Sequence, residues 1–165
     1  MTVHPLVLFP DPRLRRVAEP AVLFDNALRT LATDLLDTLR AAPGIGITAP
    51  HIGVGLRVVV LDLPAGHTPQ VYINPHILWQ SETTEQNEEG SISMPGISAS
   101  VTRPSTIKFR YTDLNGHGHD DEATGLRAVC LQHEIDQLDG VFWLQRLSSL
   151  RRSRLMARYK KMERG

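Results

Sequence analysis

Gln132-His133-Glu134-Ile135-Asp136-Gln137 carries the residues of this chain best suited to chemistry. On a helix, positions i and i+4 share a face. Two His at that spacing hold a metal ion, and a Glu beside the first serves as general base toward a metal-bound water. His133 and Glu134 meet the pattern, but Gln137 stands at the second ligand position. A carboxamide offers a carbonyl oxygen and no imidazole nitrogen, so it is a poor replacement. The segment specifies metal-assisted hydrolysis and departs from it at one ligand.

The elements that must position this helix can be read in outline. Asp25 or Asn26 caps a helix with Leu28, Leu31, Leu35 and Leu39 along one side, and Pro43-Gly44 ends it. Leu56–Leu63, with Val58, Val59 and Val60, reads as a buried strand. Val71–Trp79 is expected to be a second strand, around Asn74-Pro75, and Thr106–Thr112 a third. Asp113-Leu114-Asn115-Gly116 is a turn. The acidic stretch Glu82–Glu89 reads as a strand edge or loop. His117-Gly118-His119, with Asp120 and Asp121, reads as an exposed hairpin loop with at most adventitious metal affinity. The motif helix is expected over Glu122–Leu138, with Leu126, Val129 and Cys130 beside the site. Ser148 or Ser149 caps a last helix that carries Leu155, Met156, Tyr159 and Met162. Strands first, then a central helix lying against them, give an α+β fold with mixed or antiparallel sheets.

Composition narrows the class. At 165 residues the chain is expected to be a single domain, 1–165, able to bury a core. One cysteine, Cys130, excludes a disulfide framework and fits a reducing, cytoplasmic setting. Met1-Thr2-Val3-His4-Pro5 has no basic region followed by a long apolar run, so no signal peptide is expected. The longest apolar stretch is interrupted by Arg57 and Asp62, which excludes a membrane span there. Net charge is zero but uneven. Residues 146–165 hold eight Lys/Arg against Glu163 alone, while the rest holds ten against seventeen acids. This 146–165 segment reads as a basic C-terminal helix. It suits an RNA backbone, or it is a solvated face that offsets an acidic body.

Three segments, in order, carry a resemblance. Gly44-Ile45-Gly46-Ile47-Thr48-Ala49-Pro50-His51 is similar to G-x-G-x-A-A-x-Q of the peptide deformylase family. Glu89-Gly90-Ser91-Ile92-Ser93 followed by Met94-Pro95 is similar to its E-G-C-L-S segment. Gln132 to Gln137 is similar to Q-H-E-x-D-H. Pro10-Asp11-Pro12-Arg13-Leu14-Arg15, Ile73-Asn74-Pro75 and Leu138-Asp139-Gly140 extend the likeness over almost the whole chain.

The resemblance implies a peptide-deformylase-like fold around the motif helix. It also implies removal of the formyl group from an N-terminal formylmethionine by one divalent metal (iron, nickel or zinc). The family ligand positions fall on Ser91, His133 and Gln137, so two of three are degraded. Glu134 takes the general-base position. His51 stands where the family has a Gln that, with the backbone N–H at Ile92, steadies the oxyanion. Gly44, Ile45 and Gly46 correspond to the segment where a peptide pairs as an added strand, and Val129 and Cys130 to the methionine pocket. The C-terminal helix corresponds to one that can dock at the ribosome.

The substitutions have a physical weight. A thiol titrates near about 8.5 and a metal deprotonates it outright, whereas a Ser hydroxyl binds as a weak neutral oxygen. Two neutral oxygens should remove several of the roughly 10–16 kcal/mol of a strong zinc site. The first reading is therefore a deformylase-like monomer with the family activity lost or much reduced, binding formylated peptide N-termini with or without a cofactor. The second is an active metal-dependent N-deformylase or N-deacylase in which His51 joins His133 as a ligand. The third is a ribosome-associated adaptor acting through the basic helix. Ser91 as a nucleophile with His133 as base lacks an evident third group to orient the pair.

Overall fold

The structure, a computed structural model, describes residues 1–64 and 66–164. Gly165, the last residue of the expected basic helix, lies outside them. In chain order the elements are α1 (Asn26–Ala41), β1 (Gly46–Thr48), β2 (Val58–Leu61), β3 (Gln70–Gln80), β4 (Thr84–Ser91), β5 (Met94–Pro104), β6 (Thr106–Thr112), β7 (Gly118–Thr124), α2 (Gly125–Leu138) and α3 (Ser149–Glu163). Strands β1-β2-β3-β6-β7 form one antiparallel sheet in that order, and β4 and β5 form a separate hairpin. The α+β class and the antiparallel sheets agree with the expectation from sequence.

The apolar run at β2 has a simple cause: both of its faces are covered. Val58 and Val60 pack with Leu28, Leu35 and Leu39 of α1. Val59 and Leu61 pack with Leu131 and Leu138 of α2, together with Tyr72 and Phe109. A strand covered on both faces reads as a continuous run instead of an alternation. Helix α1 starts at Asp25, whose carboxylate accepts from Leu28 N–H at 3.1 Å. A third cluster lies under the β4–β5 hairpin. There Met94, Ile97 and Val101 meet Val7, Leu14, Phe142, Trp143 and Tyr159. Tyr159 is the one buried residue among those described in α3, so that helix is held by few apolar contacts.

The last helix, expected over 146–165, begins at Ser149, because Trp143–Arg146 form a separate short turn and Ser148 caps the helix. Two further readings shift. The motif helix begins at Gly125, and Glu122–Thr124 belong to β7. Gly125 has φ +59, a left-handed conformation that ends the strand before the helix starts. His117-Gly118-His119 does not stay in a loop, because β7 begins at Gly118. Cross-strand pairs draw it into the sheet: Arg110 donates to Asp120 at 2.7 and 3.0 Å, and His119 stacks on Tyr111. Glu82–Glu89 lies largely in β4, paired throughout with β5.

Among the described residues, no helix is long and apolar enough to cross a membrane.

Candidate active site

Helix α2 runs through the interior, so its polar side chains are buried and each needs a partner. Gln132 Nε2 donates to Pro104 O and Ala128 O at 2.9 and 3.1 Å. Gln137 Nε2 donates to Leu14 O at 2.6 Å, which ties the helix to the N-terminal arm. Asp136 accepts from Arg103 Nη1 at 2.9 Å and from Arg146 Nε and Nη2 at 2.9 and 2.6 Å. Glu134 is the exception: it is 3 % exposed and its Oε1 has no hydrogen-bond partner.

Arg103 holds the two layers together. It is buried on β5 and reaches Glu89 of β4 through Nε and Nη2, at 2.6 and 2.9 Å, and Asp136 of α2 through Nη1. Glu89 in turn accepts from His133 Nδ1 at 2.9 Å. Burial works against the Glu89 charge, but His133 and Arg103 outweigh it and hold the carboxyl below its usual range. An ionised Glu89 requires a proton on His133 Nδ1. The ring is thereby oriented, and Nε2 is its free nitrogen. Arg103 and Arg146 were not singled out in the sequence. Glu89 stood inside a motif without a role. No pattern marks a strand arginine as buried, although a Glu within a motif beside a candidate nucleophile or ligand was a usable signal.

A cleft of about 670 Å³ opens between β1, the β4–β5 turn and α2. His51, Ser91, Ile92, His133 and Glu134 line it. Gly44, Ile45 and Gly46 line it too, as do Val129 and Cys130 of α2. Gln137 is the one residue of the sequence-derived set that is not among the described lining residues, because its side chain is committed to Leu14. Ser91 Oγ accepts from Ser93 N–H at 3.0 Å within the tight turn that joins β4 to β5. Among the described residues, no group of three or more His, Cys, Asp or Glu is arranged to hold a metal ion.

His51 is 1 % exposed, and its Nδ1 accepts from Thr48 N–H at 2.9 Å. An amide can only donate, so in the neutral ring the proton sits on Nε2. Burial, reinforced by the His133 charge, pushes the His51 pKa down to about 3, so the ring is neutral. His51 thus offers an N–H where a ligand would need a lone pair. Gly46 lets β1 approach α2 closely. A Cβ there would lie 2.8 Å from Glu134 Oε2 and 3.0 Å from Leu61.

Burial pushes the Glu134 pKa up from 4.5 to about 7, against the pull of His133. Cys130 is likewise pushed up to about 12 by burial, then by the charges of Glu134 and Glu89, so its thiol is unreactive. The folded state binds the Glu134 proton more tightly than the unfolded chain does. Its stabilising effect is complete below pH 4.5 and is lost as pH rises through about 7. Glu134→Gln is therefore expected to raise the Tm of the metal-free chain by about 5 °C near pH 8 and to change it little near pH 4. Thermal unfolding monitored by circular dichroism checks this. Equal Tm values at both pH values would mean that the carboxylate is accommodated without penalty.

The polypeptide deformylase family model matches residues 3–153. The chain belongs to the peptide deformylase family. Two proteins of Brucella suis biovar 1 are similar to it. One, named peptide deformylase-like, is 59% identical over 164 residues, 99% of this chain and 100% of that protein. The other, named peptide deformylase, is 42% identical over 165 residues, 98% of this chain and 94% of that protein. The crystal structure of the Ehrlichia chaffeensis peptide deformylase in complex with actinonin has a TM-score of 0.93 at 35% identity and covers 100% of both chains. Peptide deformylases are metal-dependent and act on formylated peptide N-termini. The resemblance read from three short motifs therefore holds for the fold and the family.

Proposed function

We propose that this peptide deformylase-family chain binds peptide N-termini in its cleft and does not hydrolyse the formyl group by the metal-assisted route. The observation that carries this reading is the donor set. Of the positions where the family holds its metal, His133 alone offers an imidazole nitrogen. The Gln137 amide is turned onto Leu14 O. Ser91 Oγ is a neutral oxygen already accepting from Ser93 N–H. His51 brings no replacement nitrogen, since its Nδ1 is taken and its Nε2 carries the proton. Iron, nickel or zinc does not fit these residues.

The peptide-binding parts of the cleft are intact by the same reasoning. β1 is an edge strand, so its outer backbone groups can pair with an added strand, and Gly46 lets it lie close to Glu134. Val129 and Cys130 give the apolar wall for a methionine side chain, and His51 Nε2–H with Ile92 N–H are the donors for a carbonyl oxygen. Brucella suis has one protein named peptide deformylase-like and another named peptide deformylase, and this chain is more similar to the former. That pairing favours a role beside the enzyme. A ribosome contact through the basic α3 and a cytoplasmic, monomeric, single-domain state fit the reading and form part of the proposal.

The test is elemental mass spectrometry of the chain loaded with iron, nickel or zinc and then desalted, together with a deformylation assay on formyl-Met-Ala-Ser. Metal well below one ion per chain, with binding of the peptide and no turnover, is expected. Close to one ion per chain, with turnover abolished in Glu134→Ala, would overturn the proposal.

A further inference from the structure

A second cavity, of about 550 Å³, shares none of its described lining residues with the cleft. It opens between the N-terminal arm, the short turn at Trp143–Arg146 and α3. Phe9 and Phe142, stacked with ring centroids 5.2 Å apart, line it together with Leu14, Leu144 and Met156. Met156 is 41 % exposed although it belongs to this apolar lining. Protein interiors pack to crystal-like density, so a hollow here accounts for the few apolar contacts that hold α3. Arg15 and Arg152 line the same cavity. Among the described residues neither has an ion-pair partner, whereas Arg13 and Arg146 are paired to Asp11 and Asp136. Asp11 is the one acid among the described lining residues, and Arg13 Nη2 donates to it at 2.9 Å.

We propose that this cavity binds a small amphiphilic acid, with its apolar body on the Phe9–Phe142 lining and its carboxylate at Arg15 and Arg152. The proposal is independent of the peptide-binding reading, since neither ring and neither arginine lines the cleft. A mostly apolar cavity of roughly 300–1,000 Å³ with a few polar groups is the usual form of a small-molecule site. A guanidinium presents a planar fork of donors that matches a carboxylate and stays charged. Two cations without partners, beside an acid that is already engaged, favour an anion and oppose an ammonium. A bare inorganic anion would leave the apolar lining in water, so burial of that lining calls for a body as well as a charge. Stacked phenyl rings give the body a broad contact surface, and the Met156 thioether adapts to its shape. Bound there, the acid bridges the arm and α3, adding to the edge contact that Tyr159 makes with Phe9.

The test is a titration of the isotope-labelled full chain with octanoate, followed through its backbone amide chemical shifts. Octanoate is expected to half-saturate below about 1 mM and to move the amides of Phe9, Phe142 and Met156, while those of Ile45 and Val129 in the cleft stay in place. Octanol, which lacks the charge, and acetate, which lacks the body, are each expected to bind at least about tenfold more weakly. Hydrocinnamate is the aryl counterpart, and the tighter of the two acids names the body as aromatic or aliphatic. Arg15→Gln/Arg152→Gln breaks no ion pair among the described residues, so its ligand-free Tm should stay within about 2 °C of the parent. It is expected to weaken octanoate at least about tenfold. Shifts confined to the cleft, equal affinity for octanol, or undiminished binding by the double variant would each overturn the proposal. So would a failure of both acids to saturate by about 5 mM.

Discussion

Ser91→Cys/Gln137→His is expected to retain close to one nickel or zinc ion per chain after desalting, where the parent retains less than about a tenth. The double variant adds a thiolate and an imidazole to His133 Nε2, a three-ligand set with an open fourth position. The scaffold for it remains. Glu89 accepts from His133 Nδ1 at 2.9 Å, the kind of outer contact that fixes a ligating ring. Gln137→His gives up the bond to Leu14 O, at a cost of about 1 kcal/mol in the metal-free form. Bound metal more than offsets this, because it stabilises the folded state by mass action. Metal per chain and a metal-dependent rise in Tm are the readouts. Deformylation of formyl-Met-Ala-Ser is expected to rise at least about 100-fold over the parent. A double variant that stays metal-free would show that more than the two ligands has been lost.

Arg103→Met is expected to destabilise the chain by about 3–5 kcal/mol, the largest single-residue effect on stability anticipated here. Arg103 is 4 % exposed and pairs with Glu89 and Asp136. Removing it leaves two carboxylates to be buried or protonated. Arg146 still reaches Asp136 from a more exposed position, so the greater loss falls on Glu89. Glu89 keeps its bond from His133 Nδ1 but loses the guanidinium that holds its carboxylate in place. Urea unfolding measures the change, and peptide affinity should fall with it. Adding Glu89→Gln to Arg103→Met should recover part of the loss, since it removes the stranded charge. A change below about 1 kcal/mol would mean that the network behaves as a surface pair.

The sequence disclosed some of this and hid the rest for physical reasons. The leucine spacing of α1 was legible because the helix has one buried side. Thr106–Thr112 was legible because β6 alternates. The motif helix was legible through residue types and spacing, although its start was set too early: nothing in Glu122–Thr124 announces a strand until Asp120 finds Arg110 across the sheet. β5 was missed because its buried residues, Met94, Ile97, Val101 and Arg103, keep no regular period, and one of them is charged. At the site, three motifs named residues that line one cleft. What each side chain does there depends on neighbours far away in the chain. Gln137 is turned aside by a carbonyl 123 residues earlier. The proton on His51 is placed by the amide of Thr48, a contact that residue types alone do not reveal.

The N-terminal arm, which lends Leu6 and Leu8 to the cleft, is tied to parts of the chain far from it in sequence. Val7 N–H donates to His51 O, Phe9 N–H to Ser93 O, and Ala18 N–H to Leu138 O, while Leu14 O waits for Gln137. Contacts so remote in sequence form late, because the intervening loop must close before they return any free energy. On a growing chain Val7 and Phe9 find His51 and Ser93 before α2 has emerged, but Leu14 and Ala18 have no partner until Gln137 and Leu138 follow. The N-terminal arm is thus fastened to α2 only after nearly the whole chain has been made, and Leu6 and Leu8 of that arm are part of the cleft lining.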